Sequence, residues 1–301
     1  MISAAWCCAA ALLAAALVGG AGAAAKADQA QLERGAYIFN AADCAACHTN
    51  FKEKGQLLAG GRALNTPFGK LYSPNITADP EHGIGKWSDA DFIRALRKGI
   101  APDGSRYFPV FPFTSFTKMT DADMADLKAY IFSLPTSTQP DQPHDVDFPF
   151  GWRFLLRPWR WLNFAEGSFE PDSAQSPDWN RGAYLVEALG HCGECHTPRG
   201  WLGGLDSDDG LSGTTDGPDG QKVPNITPDE ATGIGTWSDR DIAGLLKTGI
   251  LPDGDVVGSV MGEVVQWSTS RLTDDDRAAI AIYLKSLPAI DNPDAKAVKA
   301  E

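Results

Sequence analysis

The stretch Cys44-Ala45-Ala46-Cys47-His48 recurs as Cys192-Gly193-Glu194-Cys195-His196, and the rest of the chain is read outward from this pair. Cys-x-x-Cys-His is the attachment signature of a c-type haem. Two thiols one helical turn apart meet the two vinyl groups of one porphyrin and form thioether bonds. The next residue, histidine, then lies under the iron and offers it an imidazole nitrogen. Other uses of these residues fit less well. A zinc site would want its two Cys-x-x-Cys pairs much closer together, and a redox dithiol has no need of a histidine just after its second cysteine. The expected cofactors are therefore two covalently attached haems c, one on Cys44 and Cys47 and one on Cys192 and Cys195, with His48 and His196 as iron ligands.

Both motifs sit in similar surroundings. Arg34-Gly35-Ala36-Tyr37 precedes the first and Arg181-Gly182-Ala183-Tyr184 the second. Downstream, Asn75–Gly104 and Asn225–Gly254 match without a gap through Asn-Ile-Thr, Gly-Ile-Gly, Trp-Ser-Asp and Pro-Asp-Gly. A repeat of this length marks two copies of one domain. Each copy carries the same helix signals. Leu32, Ala36 and Phe39 predict a helix over 29–40. Ser88 with Asp91, and Ser238 with Asp241, read as N-caps with an acidic third residue, closed by Gly99 and Gly249. Thr120 with Asp123 opens a final helix running to about Leu134, and Thr273 with Asp276 opens its counterpart, running to Leu287. Strand signals are almost absent. The expected fold is mostly α, with Gly35 and Tyr37 marking a close crossing of the first and last helices of the domain.

The sixth position on each iron sets its potential and reactivity. In the second copy Met261 is the expected ligand: it follows Pro252-Asp253-Gly254 closely and is the one methionine of that half. The matching position in the first copy is Phe111, which cannot bind iron. Met119, just before Thr120 and matching Leu272, is then the expected ligand, drawn in by a loop three residues shorter than its counterpart. Its other reading is a hydrophobic staple onto Met124 across the N-cap. Trp87 and Trp237 are candidates to donate an indole N–H to a haem propionate. Pro67 or Pro74, and Pro218 or Pro224, could set a carbonyl on each proximal imidazole. His191 is held on the attachment side, and His82 and His144 read as solvated loop residues.

The chain has 301 residues, enough for two domains with cores of their own. A net charge of −13 excludes nucleic acid as a natural partner. Four of the six cysteines belong to the haem motifs, and the others, Cys7 and Cys8, lie in an N-terminal stretch without charge from Ile2 to Ala25. That stretch resembles a secretory signal peptide, with small-x-small cleavage sites around Ala21–Ala27. Left uncut, it is long enough to act as an anchor. The expected organisation is a leader over 1–25, one domain over 26–139, an extended linker over 140–177 and a second domain over 178–301. The linker holds a basic aromatic island from Gly151 to Trp161, read either as packing between the halves or as docking to a membrane or a partner.

Taken together, Arg-Gly-Ala-Tyr, Cys-x-x-Cys-His-Thr, Pro-Asn-Ile-Thr, Gly-Ile-Gly-x-Trp-Ser-Asp and Pro-Asp-Gly resemble the multihaem cytochrome c subunits of bacterial periplasmic dehydrogenases. The resemblance implies two tandem class I cytochrome c domains, each closed by its terminal helices. It also implies a periplasmic electron relay between a dehydrogenase donor, acting on alcohols, aldehydes, gluconate or sorbitol, and an oxidase or quinone-linked acceptor, with peripheral membrane association. Three features depart from that group: two haem motifs where three are common, a short charged end in place of a membrane-binding tail, and Phe111 where a methionine is usual. The competing class is an enzyme, a peroxidase-like or gas-binding protein with an open first haem. Such a peroxidase would want a distal acid or base, and the aromatic segment 107–118 offers no carboxylate or histidine.

Overall fold

The computed structural model describes residues 27–297; the leader, with Cys7 and Cys8, lies outside them. The first half contains α1 (Gln29–Ala41), α2 (Cys44–His48), strands β1 (Ala63–Thr66) and β2 (Gly69–Tyr72), α3 (Asp89–Lys98), α4 (Phe113–Phe116) and α5 (Asp121–Ser133). A connecting region adds β3 (Asp145–Val146) and α6 (Leu156–Asn163). The second half contains α7 (Pro177–Tyr184), α8 (Gly193–His196), α9 (Asp239–Thr248), α10 (Ser259–Trp267) and α11 (Asp274–Ser286). A π-helical turn, Leu185–Leu189, prolongs α7.

The helix ends follow from their caps. Ser88 Oγ accepts from Asp91 N–H at 3.1 Å while Ser88 N–H donates back to Asp91 Oδ2 at 3.1 Å, and Ser238 and Asp241 repeat the exchange. Gly99 and Gly249 end α3 and α9 at φ 56° and 74°, a left-handed conformation that glycine adopts without steric cost. The crossing of terminal helices occurs in both halves. A Cβ on Gly35 would lie 2.1 Å from the Asp126 carbonyl of α5, and one on Gly182 would lie 2.0 Å from the Ala279 carbonyl of α11. Only glycine lets these backbones meet.

The tyrosines of the two Arg-Gly-Ala-Tyr segments do something the sequence did not suggest: each reaches the other half. Tyr37 donates to Asp276, and its hydroxyl accepts from Thr273 N–H at 3.1 Å. Tyr184 donates to Asp123, and its hydroxyl accepts from Thr120 N–H at 3.1 Å. The N-caps of α5 and α11 are thus completed by a phenol from the opposite half, inserted between the cap's N–H and the acidic third residue. One cluster of buried apolar residues, from Ile38 to Leu284, runs through both halves.

The weak strand signal conceals a three-stranded antiparallel sheet in the order β1-β2-β3. Leu64 pairs with Leu71, and Gly69 with Val146. The linker is therefore not a free connector, because β3 completes this sheet. Its aromatic residues find local partners as well: Phe150 packs on Phe68 at 4.8 Å, and Trp159 Nε1 donates to the Leu202 carbonyl at 2.8 Å.

Candidate functional site

The first Cys-x-x-Cys-His segment forms the single turn α2, held at its end by local bonds. Gly60 N–H donates to the His48 carbonyl at 2.8 Å, and Leu58 N–H to Thr49 Oγ1 at 3.1 Å. The second segment repeats both, from Gly213 to the His196 carbonyl at 2.6 Å and from Leu211 to Thr197 Oγ1 at 3.0 Å. The threonine after each histidine therefore ties the following loop to the motif.

His48 Nδ1 lies 2.9 Å from the Pro74 carbonyl and His196 Nδ1 lies 2.8 Å from the Pro224 carbonyl. A carbonyl can only accept, so Nδ1 carries the proton in both rings and Nε2 keeps its lone pair for a metal. Burial lowers the pKa of both imidazoles, against the raising effect of the carbonyl bond. Of the candidate prolines, Pro74 and Pro224 are thus the ones in contact. Asn75 explains the position of the first: its Nδ2 donates to the Ser137 and Gln139 carbonyls at 2.8 and 2.9 Å, and its Oδ1 accepts from Thr77 N–H at 2.9 Å. Asn225 does the same toward the Ile290 carbonyl and Thr227 N–H, at 2.7 and 2.9 Å. In each half Asn-Ile-Thr clamps the chain after the last helix onto the loop that presents the proline.

Cys44, Cys47 and His48 line one cavity of about 630 Å³, within the roughly 300–1,000 Å³ usual for a cofactor pocket. Phe92, Leu96, Leu127 and Ile131 give it an apolar interior, and Trp87 lines it. Phe111, Pro112 and Phe116 also line it. Met119 does not. It is fully buried in the core with Met124, each at 0% exposure, in the place that Leu272 takes in the second half. The short segment after Phe111 forms only the four-residue α4 before α5 begins, which leaves Met119 as the apolar residue ahead of the N-cap rather than drawing it to the cavity. The longer counterpart forms α10, with Met261 in its first turn, half-buried against the core. Trp237 is buried at 6% exposure.

The cavity gathers three histidines that the sequence reading set aside, together with an arginine of the linker. His82, His144 and Arg153 line it, as does His191 from the second half. His144 Nδ1 accepts from Tyr72 N–H at 3.2 Å, so its proton sits on Nε2. His191 packs edge-on against Phe116 at 5.4 Å. No local pattern announces this, because His191 arrives only through the packing of one half on the other.

That packing is reciprocal. In one direction Thr114 and Ser115 of α4 donate to Glu194, inside the second motif, at 2.5 and 3.1 Å. In the other, Arg62 reaches the Ala46 carbonyl of the first motif and Glu263 of α10, both at 2.6 Å, and Phe51 stacks on Trp267 at 4.2 Å. The two motifs lie close enough for Cys47 to feel the charge of Cys195, and both cysteines feel that of Asp43. Burial pushes the thiol of Cys195 up to about 11, those of Cys47 and Cys192 up to about 12, and that of Cys44 further. Among the described residues no cluster of His, Cys, Asp and Glu is arranged to hold a metal ion by itself.

Asp43 is a strained point between the motifs, with φ 50°, 8% exposure and an Oδ1 lacking a hydrogen-bond partner. Burial pushes its pKa up to about 8, with Glu263 adding to the rise and Arg62 opposing it. An unfolded aspartate ionises near 3.9, so the folded chain holds this proton across a window where the unfolded chain has lost it. The stability contributed is complete below about pH 4 and is lost as pH rises toward 8. Asp43→Asn is therefore expected to gain on the wild type between pH 4 and 8, with no further gain above. Each unit of displacement is about 1.4 kcal/mol, or a few degrees in Tm. Melting curves of the two haem-loaded proteins measured across pH check this; a constant Tm difference would contradict it.

The donor set at the first motif fits haem c: paired thiols, an imidazole nitrogen kept for the iron, an apolar slot, and Arg153, His144 and Trp87 to meet carboxylates. A chain that builds this attachment geometry twice is a c-type cytochrome, and this one belongs to the cytochrome c family. The family profile for cytochrome c matches residues 32–135. A diheme cytochrome c-type protein of Cereibacter sphaeroides is 46% identical over 266 residues, covering 87% of each chain. The cytochrome c subunit of a quinone-dependent alcohol dehydrogenase from Gluconacetobacter polyoxogenes is 42% identical, over 88% of this chain and 57% of its own length. A fructose dehydrogenase cytochrome subunit of Gluconobacter japonicus is also 42% identical, over 88% and 54%. The chain thus spans a little over half the length of these two subunits.

Proposed function

We propose that this chain is an exported, periplasmic dihaem cytochrome that relays single electrons from a dehydrogenase toward an oxidase or a quinone-linked acceptor. The observation that carries the reading is the pair of Cys-x-x-Cys-His turns in one packed chain, each with Nδ1 of its histidine on a proline carbonyl and Nε2 kept for a metal. Similarity to cytochrome subunits of alcohol and fructose dehydrogenases supports the donor. The protein acts as a carrier beside a catalytic subunit rather than as the catalyst. Two class I domains, 26–139 and 178–301, are proposed to hold the haems, with 140–177 between them.

Cys44 and Cys47 would anchor one haem and Cys192 and Cys195 the other; His48 and His196 would be the proximal ligands. Each haem, when bound, supplies a ferric–ferrous couple. The protein's part is to fix the iron's ligands, exclude water and keep the two centres close. The Pro74 and Pro224 carbonyls hold each imidazole in one tautomer and raise its basicity. Met261 would complete the second iron, and a thioether there favours the ferrous state. Trp87, Trp237, Arg153 and His144 are the groups proposed to meet propionates. At the first iron the cavity offers Phe111 in place of a thioether, which favours a weakly ligated or open sixth position. That position is the basis of the alternative reading, a gas-binding or peroxidase-like haem.

The reading is tested by producing the full chain in a host with a c-type maturation system and measuring its haem. Pyridine haemochrome per chain is expected to give two haems in the periplasmic fraction, both titrating reversibly with one electron. One haem or none would contradict the assignment.

A further inference from the structure

The connecting region carries an apolar surface that the haem sites do not use. Phe148 is 79% exposed, Trp161 84% and Trp201 86%. Trp152, Phe154 and Leu162 are also exposed. Phe148 packs on Trp152 at 5.0 Å, and Trp152 on Phe154 at 5.6 Å. The loop bearing Trp201 is tied to α6 by the Trp159–Leu202 bond. Large aromatic side chains left together in water mark a contact surface, and tryptophan dominates the energetics of protein interfaces.

The charges around this surface decide what covers it. An anionic bilayer would need exposed cations. Of the arginines in the stretch, Arg153 turns inward, donating to the Arg106 carbonyl and lying over Phe108 at 4.9 Å. Arg160 also turns inward, over Phe113 and Phe164 at 4.8 and 4.6 Å. Arg157 stays exposed, but the exposed acids Asp145 and Asp147 directly precede Phe148, and the exposed Asp206, Asp208 and Asp209 follow Trp201 in its loop. An apolar centre with an acidic rim, on a chain of net charge −13, complements a protein face with a basic rim. Position identifies the kind of protein. Arg153, set between Trp152 and Phe154, lines the cavity that contains Cys44, Cys47 and His48, so this surface backs directly onto the first haem site.

We propose that the face formed by Phe148, Trp152, Phe154, Trp161 and Trp201 is the docking surface for the catalytic dehydrogenase subunit, which delivers electrons to the first haem. The proposal rests on the reading of the chain as a dehydrogenase-linked carrier. It is tested with the haem-loaded full chain and a triple variant, Trp152→Ser/Trp161→Ser/Trp201→Ser, checked for unchanged haem content and visible spectrum. The probes are the substrate-reduced catalytic subunits of an alcohol, a fructose and a gluconate dehydrogenase. For a subunit that reduces the wild type, the triple variant is expected to be reduced at least tenfold more slowly, while dithionite reduces both proteins alike. The wild-type rate should also fall as salt screens the acidic rim. Equal rates for variant and wild type would overturn the docking surface and leave the carrier reading standing. Failure of all three subunits to reduce the wild type would overturn both. Wild-type co-sedimentation with phosphatidylglycerol–phosphatidylethanolamine vesicles, lost in the variant, would assign the face to lipid and overturn the proposal.

Discussion

Replacing Cys192 and Cys195 together with alanine is expected to halve the haem content, from two per chain to one. The loss should be confined to one haem because attachment is local. The thiols, the histidine, the Pro224 carbonyl and the Thr197 anchor all belong to the second half, and the first half has its own set in Cys44, Cys47, His48, Pro74 and Thr49. The remaining haem should keep its spectrum, since His48 and the cavity beside it are built without either substituted cysteine. The variant should nonetheless be less stable, because α4 rests on Glu194 of the emptied motif. Pyridine haemochrome quantitation and the reduced α-band give the answer. A variant that still carries two haems, or that carries none after export, would refute independent attachment.

The second large effect concerns the first iron. When reduced, the wild-type protein is expected to bind carbon monoxide at one of its two haems and to show one high-spin component. Around position 111 the cavity wall is made by Phe111, Pro112 and Phe116, none of which can ligate iron. Of the cavity's other histidines, His144 is tied through Nδ1 to Tyr72 N–H and His191 packs edge-on against Phe116, and Met119 is locked in the core at 0% exposure. Met119→Leu should therefore leave both spectra as they are, and as a volume-conserving swap it should cost less than about 1.5 kcal/mol. Phe111→Met should do the opposite. It places a thioether on the cavity wall, and is expected to abolish carbon monoxide binding and raise that haem's potential, as thioether ligation favours the ferrous form. If the wild type is entirely low-spin, and Met119→Leu turns one haem high-spin, then Met119 moves to the iron when haem is attached and the argument from Phe111 fails.

What the sequence made legible was whatever depends on short spacing. The attachment turns, the repeat, the capping signals at Ser88, Thr120, Ser238 and Thr273, and the glycine crossings at Gly35 and Gly182 are each set by residues a few positions apart, or by a backbone contact only glycine allows. The linker's structure was not legible. Asp145 and Val146 carry no strand pattern, and they pair because Gly69 and Lys70 present a free edge. The choice of Pro74 over Pro67 depends on Asn75 clamping the loop to Ser137 and Gln139, residues 62 and 64 positions away in the chain. His191 was set aside on the argument that it stays beside its own motif. It does, but its own motif lies against the other half's cavity. Met119 shows the limit of counting along a loop: a shortened segment can bring a residue nearer to a site or, as here, tuck it beneath the next helix.

The exchange of Tyr37 and Tyr184 has a further meaning when the molecule is regarded as a product of symmetry. In a two-fold homodimer, residue i of one subunit meets residue j of the other, and j meets i. Tyr37 with Asp276 and Tyr184 with Asp123 obey that rule inside a single chain. The interface is of the self-complementary kind, so one type of unit is enough to build it. Within a single chain, however, the two repeats are free to differ wherever the shared contact does not pass. Positions 111 and 261 lie outside the tyrosine exchange. A fused pair can therefore hold two unlike irons side by side, which a true homodimer, bound to repeat every residue, cannot.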